Sequence, residues 1–276
     1  MNMNKLCVSM TLALVMSFYD MSGDNVVTIS ARDGLTNSSI QSICQDASGH
    51  LWLGTCNGLN RWDGSKMDIY PDSWSGAKPL LGNMIENIYA ASDGKFWVNS
   101  NHGLDLLDPL TMESENYPMD LFYRKIAVRD SRHVVVLNTD NELFCLDGSG
   151  GFVPIKGQKV LDYDAVKNIY LDAESVLVIF HETKGIMKYH LTVSKDGNEA
   201  SLSQIGTIGM KSEIQNVFID GQEAFIIDKS GTIYSFRFAD NRLSYIKNIS
   251  KDILGSEMTC VIRDGMTSLC HSRQRG

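Results

Sequence analysis

The sequence predicts an all-β protein assembled from repeated units of three to four short antiparallel strands. Three observations carry that prediction. One segment recurs at a fixed offset of 45 residues; no stretch shows a 3.6-residue apolar period; and Asp-Gly pairs, among 23 glycines, fall where tight hairpin turns would close.

The recurring segment is SIQSICQDASGHLWLGTCNGLNRWDG (Ser39–Gly64), matched by MIENIYAASDGKFWVNSNHGLDLLDP (Met84–Pro109). Ile43 aligns with Ile88, Gly49 with Gly94, Trp52 with Trp97, Gly58 with Gly103 and Asp63 with Asp108. Fainter copies occupy Arg124–Gly148, Val166–His190 and Ile214–Phe238, and Met258–Gly265 opens a sixth.

Within each copy an alternating strand ends at an Asp-rich turn, and a second strand (HLWLGT, KFWVNS, AFIIDK) runs back. A Gly-containing turn feeds a third strand, and a weaker fourth follows, such as KMDIYP or SENYP. Units of about 40–45 residues with this plan are β-propeller blades. Five blades are expected to begin near Ile40, Ile85, Ile126, Val166 and Ile214, with part of a sixth, giving an incomplete ring. A strand over Val26–Ser30 is expected before blade one. Trp52 and Trp97, in phase and mid-strand, are expected to pack between neighbouring blades as structural residues. Gly58, Gly103, Asp63 and Asp108 are likewise read as structural positions of the repeat.

Composition narrows the function. Net charge is −8, from 33 acidic and 25 basic residues, which excludes the clustered basic face of a nucleic-acid binder. Lys5 followed by the apolar run Leu6–Phe18 reads as a signal peptide over residues 1–23, with an uncleaved membrane anchor or a buried first strand as the alternatives. Residues 24–276 then form one partial propeller, and contact with a membrane is expected only through the first segment. Six cysteines show no disulfide spacing. Cys44 should face Leu51 or Trp52 across its hairpin, out of reach of Cys56.

No catalytic, cofactor-binding or metal-binding set is expected. The six histidines are scattered without ligand spacing, the GSGG run at Gly148–Gly151 reads as a turn, and the Asp-Gly pairs recur in phase as turn residues. Ligand contact is assigned instead to four residues on connections: Trp74, out of phase in the long link PDSWSGAKPLLG, and Asn57, Asn101 and His102 at equivalent turns.

The stretch ARDGLTNSSIQSICQDASGHLWLGTCNGLNRWDG (Ala31–Gly64) resembles the regulator-propeller repeat of hybrid two-component sensors of gut Bacteroidetes. The shared elements are the Asp-Gly-Leu entry, the Gln-Asp strand end, the Leu-Trp-Leu-Gly-Thr strand and the Asn-Gly-Leu-Asn-Arg turn. The resemblance implies a periplasmic, ligand-sensing module of a two-component system, with glycan fragments as the ligand class. It also implies a further β domain, a membrane helix and a histidine kinase, none of which occurs in these 276 residues. The chain is therefore expected to be a fragment without the kinase, which either self-associates or is completed by the missing C-terminal sensor parts. Two other readings compete: a stand-alone propeller enzyme of the lyase or lactonase type, and a protein-interaction scaffold of the WD-repeat kind.

Overall fold

A computed structural model describes residues 29–118, 123–146, 150–156, 162, 165–248, 256–264 and 267–274, with the backbone alone for 123–124 and for the last two stretches. The expected signal segment lies outside the described residues, as do positions 26–28 of the expected first strand. Ile29 and Ser30 are not strand. Ser30 instead caps a short 3-10 turn at Ala31–Asp33, accepting the Arg32 amide while Asp33 accepts the amide of Ser30.

Blade one comprises β1 (Ile40–Gln45), β2 (Leu51–Thr55), β3 (Gly58–Trp62) and β4 (Met67–Tyr70). Blade two comprises β5 (Ile85–Ala90), β6 (Phe96–Ser100), β7 (Gly103–Leu107) and β8 (Ser114–Pro118). Blade three runs through β9 (Tyr123–Asp130), β10 (His133–Asn138), β11 (Leu143–Leu146) and β12 (Phe152–Lys156). Blade four follows as β13 (Val166–Leu171), β14 (Val176–His181), β15 (Gly185–Val193) and β16 (Ala200–Ile208). Blade five is β17 (Ile214–Asp220), β18 (Glu223–Asp228), β19 (Thr232–Arg237) and β20 (Arg242–Asn248), and a hairpin of β21 (Ser256–Asp264) and β22 (Thr267–Gln274) follows. Strands pair in sequence order within each blade, all antiparallel. The expected blade starts therefore stand, with four strands in every described blade.

The repeat shows in the hydrogen bonds as well. Each first strand carries a bulge at the same place: between Ile40 and Ser42, Ile85 and Asn87, Val166 and Asn168, and Ile214 and Asn216. The residue after the second strand donates its amide to the carbonyl just before the first strand, as in Cys56 to Ser39, Asn101 to Met84, Glu182 to Ala165 and Lys229 to Glu213. The second strand ends on a buried polar side chain in all five blades: Thr55, Ser100, Asn138, His181 and Asp228. Each hydrogen-bonds within the turn it precedes, Thr55 Oγ1 to the Gly58 carbonyl and Asp228 Oδ1 from the amides of Ser230 and Thr232, for example. A β-rich core would otherwise leave these turn amides unpaired at high cost.

Alternate residues of each second strand face opposite neighbours, so the core consists of sheets of side chains between blades. Trp52 packs with Ile85, Ile88 and Phe96 of blade two, and Trp97 with Ile126, Val134 and Val136 of blade three; both indoles are fully buried. Both indoles lie inside the side-chain clusters between blades. Gly54 has no side chain because a Cβ there would lie 2.7 Å from the Ile85 side chain. One arrangement departs from the expected all-antiparallel plan. The outer strands β12 and β16 pair in parallel through Ile155 with Ala200 and Lys156 with Ser201, joining blades three and four into an eight-stranded sheet. Pairing two outer strands satisfies edges that would otherwise be exposed.

Candidate functional site

The strap that links β4 to β5 (residues 71–84) shapes the surface between blades one and two. It leaves β4 by a turn in which the Ser73 hydroxyl accepts the Ile69 amide. Trp74 then lies over the core: its ring is nearly parallel to Trp52 (6.3 Å between centroids, 16°), 6.0 Å from Tyr70, and capped by the Arg61 guanidinium at 4.8 Å. Arg61 is held in turn by Asp68 at 3.1 Å. Trp74 is therefore half-buried and rigidly seated, with cation–π and stacking contacts fixing its plane.

The exposed side of Trp74 forms one wall of a cleft of about 570 Å³ between the strap and the β7–β8 turn of blade two. Leu106 and Met112 give it an apolar floor, and Lys78, Lys95, Asp108 and Glu115 a charged rim. Asp108 also builds the turn itself, accepting the amides of Leu110 and Thr111. Asp63 does the same in blade one for Ser65 and Lys66, and those bonds hold its carboxyl down at about 2. Most of the lining is polar or charged, so the cleft presents one aromatic wall to a largely hydrophilic surface.

The other three candidates lie elsewhere. Asn57 and Asn101 sit at the β2–β3 and β6–β7 turns and are engaged by the strap. Asn57 Oδ1 accepts from Asn83 Nδ2 at 3.2 Å, and Asn101 Oδ1 from the Met84 amide at 3.3 Å. His102 lines a second, smaller cleft of about 350 Å³ with Gly58, Pro71 and Leu80. The structure thus brings Asn57, Asn101 and His102 to one end of the strap and Trp74 to the other cleft. Gly58 and Gly103 have φ values of 124° and 143°, the left-handed backbone that their turns require.

The strap is pinned between the two clefts by a residue that the repeat alone did not single out. Asp105, fully buried in β7, accepts the Leu81 amide on both oxygens (3.2 Å each) and Asn116 Nδ2 at 2.6 Å. Asn116 also donates to the Pro79 carbonyl, while Tyr70 and Ser114 donate to that of Lys78. Burial pushes the Asp105 carboxyl up to about 6, against the opposing pull of Asn116, the Leu81 amide and the Lys78 charge. With an ordinary value of 3.8, the folded chain binds this proton more tightly than the unfolded chain. The fold accordingly gains stability as pH falls through about 6 towards that ordinary value, and loses it as pH rises. The signal that could have revealed this pin is the offset itself: Asp105 stands 45 residues after Asn60, which holds Thr36 in the same way at 3.0 Å.

Among the described residues no three His, Cys, Asp or Glu side chains converge as a metal site, and no helix is long and apolar enough to cross a membrane. Cys44 and Cys56 are free thiols, and Cys44 pairs with Trp52 across its hairpin as expected.

Comparison with known proteins matches residues 34–57 to the family described as two component regulator propeller. A histidine kinase P4 of Formosa agariphila is 53% identical over 38 residues, which are 14% of this chain and 3% of the kinase. Among solved structures, YCF48 bound to D1 peptide aligns over 90% of this chain and 78% of its own, at 10% identity and a TM-score of 0.59. PorZ, a surface component of the type-IX secretion system of Porphyromonas gingivalis, aligns over 79% of this chain and 28% of its own, at 12% identity and a TM-score of 0.54. The extracellular domain of BT3049 from B. thetaiotaomicron, assigned to a hybrid two component system, aligns over 80% of this chain at 21% identity and a TM-score of 0.48. The chain spans 32% of that domain. At 10% and 12% identity, the likenesses to YCF48 and PorZ speak for the fold alone.

Proposed function

The chain carries a two component regulator propeller repeat, and from that premise we propose that it is an exported, periplasmic ligand-sensing propeller module of a two-component system, without catalysis of its own. The observation that carries the binding role is the cleft walled by Trp74, where a firmly seated indole, an apolar floor and a charged rim meet. Such a surface suits a sugar ring, whose C–H face packs on an aromatic while its hydroxyls reach charged and polar groups. Glycan fragments are the ligand class, as the family resemblance implies. Asn57, Asn101 and His102 line the opposite end of the strap and serve recognition only indirectly, through its position.

Titration calorimetry of the purified protein against a panel of neutral and acidic oligosaccharides tests this reading. Trp74→Ala should weaken the binding of any ligand found by at least about tenfold, the loss of roughly 1.4 kcal/mol. It should leave the blade repeat intact by circular dichroism. A ligand bound equally well by the variant would move the site elsewhere.

A further inference from the structure

Blade one and blade two hold their entry segments with the same bond but different chemistry. In blade one the neutral amide of Asn60 accepts from Thr36 N–H at 3.0 Å and returns a hydrogen bond to the Thr36 hydroxyl at 2.8 Å. In blade two the carboxyl of Asp105 takes that place, with Leu81 supplying an amide but no hydroxyl. Both side chains are fully buried. Only the second can change its charge, and only the second anchors a segment that walls both clefts.

We propose that Asp105 is a positioning residue through which proton concentration sets the hold on the strap, and thereby the shape of the Trp74 cleft. The ionised carboxylate accepts three hydrogen bonds, two of them from a single backbone amide. Those bonds do not repay the cost of burying the charge, since burial holds the carboxyl up at about 6. The seated strap therefore favours the protonated carboxyl, whose other oxygen still accepts from the Leu81 amide. As pH rises through that value, releasing the strap to solvate the charge becomes easier. The strap between Lys78 and Gly82 then loosens on the side that faces the cleft. The groups around Asp105 do not compensate in this range. The strap presents Lys78, blade one presents the phenol of Tyr70, β8 presents the neutral Asn116, and β6 pairs with it through Val98. Burial of the carboxyl without a directly bonded cation places its transition near neutrality, where an exposed aspartate would be ionised throughout.

As an account of ligand regulation this rests on the Trp74 cleft being the binding site; the pin itself is tested without any ligand. Amide hydrogen exchange of the full chain is measured from about pH 8 to about pH 5 and corrected for intrinsic exchange. The Thr36 amide, held by the non-titrating Asn60, is the internal control. In the parent protein, protection of the Leu81 amide relative to Thr36 should fall roughly tenfold as pH rises across that range, because the seated carboxyl titrates near 6 and a solvated one near 3.8. Asp105→Asn should keep Leu81 protected with a flat profile, and Asp105→Ala should lose protection at every pH. A flat parent profile, or the same decline in Asp105→Asn, overturns the proposal even if oligosaccharide binds at Trp74. Conversely, the expected profile with no oligosaccharide bound would leave the pin standing and remove the assigned ligand class.

Discussion

Ile43 and Ile88 stand 45 residues apart at the same place in the first strands of blades one and two, yet the first is 61% exposed and the second 8%. Ile40 and Ile85 form a second such pair, exposed and buried. The side chains point the same way because the strands, bulges and turns are copies. Their burial differs because blade two has the Gly54 backbone and Trp52 of blade one against it, while among the described residues no second strand lies against β1 in that way. Periodicity therefore fixes direction, and neighbours fix energy. The same distinction runs through the indoles. Trp52 donates to Asp46 at 2.9 Å, whereas Trp97 finds no hydrogen-bond partner for its buried N–H, because Ala91 stands where Asp46 stands in blade one.

The largest expected effect separates the two isoleucines. Ile88→Asp would bury an unpaired carboxylate between blades and should cost about 3–5 kcal/mol in urea unfolding, against about 0.5 kcal/mol or less for Ile43→Asp. Equal losses would mean that the blade-one face is covered in solution, as the expected self-association would require. Light scattering of the parent protein and of Ile43→Asp would then identify a second copy as the cover. A smaller effect sharpens the indole comparison. Ala91→Asp should give Trp97 the partner that Trp52 has and raise stability by about 1 kcal/mol, while leaving the exposed surface unchanged. A destabilised variant would show that the buried Ala91 site cannot admit a carboxylate and that the two turns are less alike than their backbones.

Much of this architecture could be read from residues that the repeat places in phase. The burial of Trp52 and Trp97, the positive φ of Gly58 and Gly103, and the turn bonds of Asp63 and Asp108 all recur with the period. What escaped depends on partners far along the chain. The stacking of Trp74 on Trp52 and the parallel pairing of β12 with β16 join segments with no shared local signature, and the hold of Asp105 on Leu81 shows only as its 45-residue offset from Asn60. The polar residue closing each second strand escaped for another reason. Thr, Ser, Asn, His and Asp all perform that task, so chemistry recurs where identity does not. Trp74 was legible as an out-of-phase aromatic, but Asn57, Asn101 and His102 were placed with it only by being in connections, and the strap divides them.

Where a ligand sits is the central question, and chemical-shift mapping answers it most directly. With methyl-labelled methionine and amide-labelled protein, added oligosaccharide should shift Met112, Lys78 and the Trp74 indole N–H together, with little change at Asn57 or Asn101. Shifts confined to the turns at Asn57, Asn101 and His102, or no shift at any of these residues, would contradict it.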